Sequence, residues 1–270
     1  MNESLKRLLS GVVYVSLLLI ATWYSATSFY ILFGIFMLIA VYEFCKLVNL
    51  NKILPLLFGA FTFGLATQFK TTQINDVLLL FATLFVSIKC LHLLFISQKN
   101  KIDKLSKYIY VIGYVIFPFI IITKIHAFNP KIVISIFILI WTNDTFAYIV
   151  GKSIGKHKLL EKISPKKTIE GFIGGMLFSI LAGILISKFY FEPKPYYLYT
   201  SVLIWIISAI IISIFSTLGD LIESKFKRIA GAKDSGTIMP GHGGILDRLD
   251  SIIFVAPFVY LFYQILYYVS

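Results

Sequence analysis

Asp220, Glu223, Ser224, Lys227 and Arg228 follow one another at i, i+3, i+4, i+7 and i+8, so all five project from one face of a helix. Leu221, Ile222, Phe226 and Ile229 take the remaining faces. A stripe running from carboxylate to cation can bind a metal ion at one end and a phosphate at the other. A solvated face with i,i+4 ion pairs would use the same spacing. Beyond the stripe come Lys233 and Asp234, then a turn with Gly241, Gly243 and Gly244 around His242, then Asp247, Arg248, Leu249 and Asp250. Glycines permit close backbone approach and positive φ, and N–H groups at a helix start favour an anion, a geometry suited to a polyphosphate. Asp247 and Asp250, three apart, share a helical face, and carboxylates are ligands that hard Mg²⁺ prefers. Acidic residues also complement a helix amino terminus, but that leaves Arg248 between them without an explanation.

A third constellation is Asn143 and Asp144, set in an apolar run from Ile132 to Val150. Exposing such a carboxylate to lipid costs about 2.5–3.5 kcal/mol on insertion scales, which makes it a functional candidate; a structural hydrogen bond between helices is the competing reading. After it come Lys152, Lys156, then Ser164-Pro165-Lys166-Lys167-Thr168. Lysines and hydroxyls around turns suit phosphate contacts. A Walker loop is excluded, because the glycine needed five residues before each Gly-Lys pair is replaced by Phe146 and Val150. Ser164 is expected to cap a helix with Pro165 at its first position, and Gly171 and Gly175 to let helices approach closely. His92, His126 and His157 lack ligand-spaced partners and are expected to be structural or solvated. Glu43, near one end of the second apolar run, could reach the same pocket.

The elements that must position these groups are membrane spans. At 58% hydrophobic and 14% charged residues, with mean hydropathy +0.86, the chain lies outside the range of water-soluble domains. A bilayer crossing takes roughly 20 apolar residues, and hydropathy predicts nine spans: 8–24, 28–46, 53–69, 76–97, 107–123, 131–150, 170–191, 199–219 and 251–269. The fold class is therefore all-α, a polytopic helical bundle. If every span crosses, nineteen basic residues fall on one side and five on the other, which predicts a cytoplasmic amino terminus. Lys6 and Arg7 before the first apolar run have the outline of a signal peptide, yet no convincing cleavage site follows, so this run is expected to be a retained first span. Residues 1–130 and 131–270 are read as an amino-terminal set of helices and a catalytic region within one integrated membrane domain. Cys45 and Cys90 lie singly in apolar stretches and are expected to be inert. The net charge of +12 in so apolar a chain points to anionic lipid or phosphorylated ligands rather than nucleic acid.

The run Ser224-Lys225-Phe226-Lys227-Arg228, then Lys233-Asp234, then Pro240, His242, Gly243, Gly244, Ile245, Asp247, Arg248, Leu249 and Asp250 closely resembles the signature of phosphatidate cytidylyltransferases, or CDP-diacylglycerol synthases, of the bacterial type. Met239 is a conservative departure. The segment from Asn143 through Tyr148, Gly155, Lys156 and Ser164 to Gly171 also resembles that family, whereas the first 130 residues are similar mainly in hydropathy. The resemblance implies transfer of CMP from CTP to phosphatidate, with Mg²⁺, and a second cation is compatible with it. It implies Asp220 and Asp247 as metal ligands, with Asp144 and Asp250 as supporting candidates. Lys227, Arg228 and Arg248 would serve the reaction, and Asn143, Lys166, Lys167, Ser224, Lys233, His242, Gly243 and Gly244 would contact substrate. It also implies a bacterial cytoplasmic (inner) membrane location with the site at the cytoplasmic face, and is compatible with a homodimer. The competing readings are a polyprenol-type lipid kinase, a cytidylyltransferase for another lipid phosphate, and a cation-coupled transporter. The transporter fits less well because the polar motifs lie on one side of the membrane.

Overall fold

In lipid every backbone polar group must be satisfied within its own segment, so apolar runs of this length fold as helices. A computed structural model describes residues 3–69, 71–95, 102–191, 198–239, 241 and 243–269. Among the described residues there are nine long helices: α1 (Glu3–Tyr24), α2 (Ala26–Leu47), α3 (Ile53–Gln68), α4 (Gln73–Phe95), α5 (Lys104–Phe128), α6 (Pro130–Ile154), α7 (Ile169–Phe189), α8 (Leu198–Ile229) and α9 (Leu246–Val269). Seven are long and apolar enough to cross a membrane, and α1 and α3 contain the shorter apolar helices Leu9–Tyr24 and Ile53–Gln68. The protein is thus an all-α polytopic membrane protein, with one helix for each of the nine expected spans.

Local chemistry sets the helix boundaries. Ser25 and Ser28 form a reciprocal capping box that starts α2 one residue after α1 ends, and Asp103 accepts from Ser106 N at 3.0 Å to start α5. Asn129 caps α6, with Pro130 at the first helical position where a missing N–H costs nothing. α6 runs on to Ile154 and α8 to Ile229, past the ends of the expected spans, and Asn143, Asp144 and the whole stripe from Asp220 to Arg228 lie on helix as expected.

The segment before α7 corrects the sequence reading. Ser164 and Pro165 do not begin a helix. They belong to a two-stranded antiparallel hairpin, β1 (Lys158–Leu160) paired with β2 (Ser164–Thr168), in register Lys158 to Thr168 and Leu160 to Ser164. Thr168 caps α7 instead, accepting from Gly171 N at 3.1 Å. Each strand has only one partner, so Pro165 can sit in β2 without breaking a ladder on its free side. Ile163, 3% exposed, roots the hairpin in the bundle.

α5 and α9 are the most enclosed helices, with 72% and 61% of their spanning windows buried, against 33% for α7. α5 carries a π-helical turn, Val111–Ile116, that places Tyr114 among Phe44, Phe226 and Phe254, with ring centroids 5.9, 5.6 and 6.5 Å away. These rings join α2, α5, α8 and α9 beneath the polar end. Glycine brings the site-bearing helices together: a Cβ on Gly171 or Gly175 would lie 2.6 Å from the carbonyl oxygen of Ala147 or Asn143, and one on Gly219 would lie 2.8 Å from that of Asp250. The packing role expected for Gly171 and Gly175 is the one observed.

Gly175→Ala therefore presses a methyl group on backbone that cannot rotate away, at an expected cost of about 1–3 kcal/mol. Gly64→Ala, with nothing within 4 Å of the new Cβ, should be neutral or slightly stabilising, since alanine is the better helix former. Thermal unfolding of both variants in detergent micelles checks the contrast; equal Tm values would contradict the close α6–α7 crossing.

Candidate active site

The polar stripe on α8 opens on a cavity of about 470 Å³, lined by Asp144 of α6, Asp220, Glu223 and Lys227 of α8, Asp234, and Asp247, Arg248 and Asp250 at the start of α9. Tyr14 of α1 with Phe137 and Trp141 of α6 supply apolar wall. Six carboxylates face two cations there, so the cavity is acidic. A second cavity, about 610 Å³, is lined by Asn143, Lys152, Lys158, Lys166, Lys167, Thr168 and Thr217 among others, and shares Asp144 and Asp220 with the first. Four lysines give this neighbour the opposite character. Tyr148, which also lines it, and Ile169 and Ile173 nearby on α7 are exposed, on helix faces that an apolar bundle turns to lipid.

Specific pairings hold the acidic cavity in shape. Lys227 forms an ion pair with Glu223, one turn back on α8, and its ammonium donates to Asp247 Oδ1 at 2.7 Å. Asp247 Oδ2 accepts from Ser235 N at 2.9 Å, Ser235 Oγ at 2.8 Å and Gly244 N at 2.7 Å, which closes the loop between α8 and α9. Gly243 has φ +88° and a Cβ there would meet Asp247 Oδ2 at 2.6 Å, so both conformation and space require glycine. Lys167 of β2 pairs with Asp220 Oδ2 at 2.7 Å, and Ser224 donates to Asp220 Oδ1 at 3.2 Å. Buried Asn143 donates to Ser216 Oγ at 3.3 Å and Asp144 Oδ1 at 3.4 Å, so it joins α6 to α8 as well as lining the basic cavity. Buried Asp250 accepts from Ser251 N at 2.7 Å.

The glycine turn differs from the expected anion cradle. Its N–H groups are there, but the chain's own carboxylates occupy them: Gly244 N serves Asp247, while Ile245 N and Leu246 N donate to Glu43 at 3.3 and 2.8 Å. Glu43, 1% exposed, thus caps α9 from α2, where the free N–H groups and helix dipole offset its charge. Arg228 also differs. Its Nε donates to Ile163 O and its Nη1 to Ala232 O, both at 3.4 Å, and it lines neither cavity; it pins the hairpin. Lys233 is exposed and outside both linings, and His242 lies outside the described residues. Sequence reasoning missed Tyr14 and Trp141, for which no spacing signal exists, and Lys158, which stood only in a count of basic charge; Lys152, read among the lysines suited to phosphate, lines the basic cavity.

His126 is buried and stacked on Phe29 with centroids 3.9 Å apart, and exposed His157 bonds Glu170 at 2.6 Å, matching the structural and solvated roles expected. Cys45 and Cys90 are free and buried. Among the described residues no ready-made group of three or more His, Cys, Asp or Glu side chains could hold a metal ion; the Lys227 ammonium stands between two of the carboxylates, Glu223 and Asp247. Even so, hard oxygen donors exceed cations in the acidic cavity. Carboxylate oxygens are the donor type a hard divalent cation takes.

Residues 5–266 match the Cytidylyltransferase family. The chain belongs to that family. It is 49% identical over 127 residues to a phosphatidate cytidylyltransferase of Staphylococcus epidermidis, covering 47% of this chain and 46% of that protein. Proteins of the same name from Staphylococcus haemolyticus and Staphylococcus aureus are 51% and 50% identical over 123 residues, 45% of this chain and 44% of each relative. The chain thus matches about half the length of these curated relatives. Family membership covers nearly the whole bundle, including α1 and α2, which supply Tyr14 and Glu43.

Glu43→Gln replaces a charged acceptor of two backbone N–H groups by a neutral one and should destabilise the start of α9 by about 2 kcal/mol. A lowered Tm and faster proteolysis between α8 and α9 would show it; unchanged protection would mean that the cap does not hold that loop.

Proposed function

We propose that the protein transfers CMP from CTP to phosphatidate, releasing pyrophosphate and forming CDP-diacylglycerol. The observation that carries this reading is the pair of adjoining cavities of opposite charge with a common wall, Asp144 and Asp220. A nucleotide accompanied by divalent cation suits the acidic cavity. A lipid phosphate suits the lysine-lined one, whose apolar surroundings let acyl chains remain in the membrane. Family membership and the names of the relatives support the same chemistry.

In this reading the phosphatidate phosphate is the nucleophile. A phosphate monoester already carries an ionised oxygen at neutral pH, as phosphorylated side chains do, so it needs no general base. One of its oxygens forms a bond to the α-phosphorus of CTP while the bond to the bridging oxygen of pyrophosphate breaks, and the leaving group takes that electron pair. Lys166 and Lys167 hold the lipid phosphate; Lys227 and Arg248 neutralise charge on the nucleotide, arginine with the option of a bidentate contact. Asp220 and Asp247, supported by Asp144 and Asp250, would hold one or two Mg²⁺ ions. Such ions, when bound, neutralise phosphate charge and polarise phosphoryl oxygens. The Lys167–Asp220 pair ties the lipid subsite to the nucleotide subsite, which favours in-line placement. The nineteen-to-five charge split supports placing the site at the cytoplasmic face of a bacterial inner membrane.

Purified protein supplied with CTP, phosphatidate and Mg²⁺ should form CDP-diacylglycerol and pyrophosphate in equal amounts, and chelation should stop both; no product from folded protein would sink this function. Asp220→Asn is a cleaner probe of the acidic wall than a change at Asp247, which also closes the loop. It should lower kcat by about 10²-fold or more, equivalent to several kcal/mol of lost charge stabilisation. Turnover near wild type at saturating Mg²⁺ would remove Asp220 from the reaction. Lys166→Ala should raise KM for phosphatidate more than KM for CTP, and the opposite order would reverse the subsite assignment.

A further inference from the structure

Glu223 has no evident structural task. Three other carboxylates have one: Glu43 caps α9, Asp247 closes the α8–α9 loop, and Asp220 joins the hairpin to α8. Glu223 has 1% of its side chain exposed and lines the acidic cavity. Among the described residues its side chain meets the Lys227 ammonium, in an ion pair, and the Asp247 carboxyl beside it, and it receives no backbone N–H. A buried carboxylate satisfied so sparingly is costly, and a neutral side chain of the same shape would generally leave the fold as stable or more so. Lys227, by contrast, does not need Glu223 for neutrality, because its ammonium already meets Asp247 Oδ1 at 2.7 Å.

What Glu223 adds is definition of a point. A lysine is a charge on a flexible four-carbon stem, and one ion pair leaves it free to swing. Two carboxylates on different helices, Glu223 on α8 and Asp247 at the start of α9, confine the ammonium between them. We propose that Glu223 is a positioning residue that holds the Lys227 ammonium at a fixed place in the acidic cavity, oriented to meet the nucleotide phosphate. It acts through Lys227 and touches no reacting atom. This role rests on the cytidylyltransferase reading above. Glu223 also belongs to the stripe recognised in the sequence, where spacing placed it on the right face without assigning it a task.

The test is Glu223→Gln in the full-length protein, with kcat, both KM values and Tm measured together. Positioning predicts kcat lowered by about 10²-fold, the usual scale for a misplaced catalytic group, with KM for CTP and phosphatidate near wild type and Tm unchanged or raised. Glu223→Asp, which keeps the charge on a shorter stem, should recover part of the loss. A merely structural carboxylate would give the reverse signature, with Tm falling and activity falling only in proportion to the folded fraction. That result, or a Glu223→Gln enzyme with wild-type kcat, overturns the role. Wild-type protein that forms no CDP-diacylglycerol removes the proposed activity and this role with it; active wild type alongside an equally active Glu223→Gln variant removes the role alone.

Discussion

A carboxylate carried into an apolar helical bundle must find cations or backbone N–H groups there, and the polar end of this molecule is arranged around that requirement. Glu43 meets it with the first N–H groups of α9, Asp247 with Lys227, Ser235 and Gly244, and Asp220 with Lys167 and Ser224. Each solution crosses between separate elements, α2 to α9, α8 to α9 and hairpin to α8, the first of them 203 residues apart in the chain. The interactions that make buried charge tolerable are therefore the ones that assemble the cavity. Lys227 is the most shared of them, because two helices depend on one ammonium.

The apolar remainder does more than hold the site in a membrane. Glycines at 171 and 175 bring α7 against α6, and Gly219 brings α8 against α9, so that Asp144, Asp220 and Asp250 project into one volume without large side chains filling it. The hairpin then adds lysines on paired strands rather than on a free loop. Strand pairing and the Arg228 contact to Ile163 limit how far Lys166 and Lys167 can move. A divided site follows: one acidic volume, one basic volume, and a wall common to both. Such a division suits a reaction that must bring two polyanions together, since each needs its own compensation before their mutual repulsion can be overcome.

The stripe from Asp220 to Lys227 was legible because helical periodicity is local; three residues read against four decide which face a side chain takes. The hairpin was not. Strands of three and five residues, one containing proline, show no alternation that competes with the helical signal of Ser164 and Pro165, and their pairing depends on the buried Ile163 beneath them. Arg228 was misplaced for the same reason, since its partner is a hairpin carbonyl. The glycine turn was legible as a group of N–H donors for an anion, but not that the chain's own carboxylates take them: Glu43 lies 202 residues from Ile245.

Nine helices, the gathering of polar motifs at one end and the family resemblance were determined by the sequence alone, because transfer of apolar residues into lipid and helical spacing act within about twenty residues of each position. The tertiary structure decided which charges meet. Coulombic and hydrogen-bond partners are chosen by proximity in space, and proximity here comes from helix packing across the bundle. So the list of acidic and basic residues was available from the chain, while the division into two cavities and the pairings of Glu43, Glu223 and Arg228 existed only once the helices had packed.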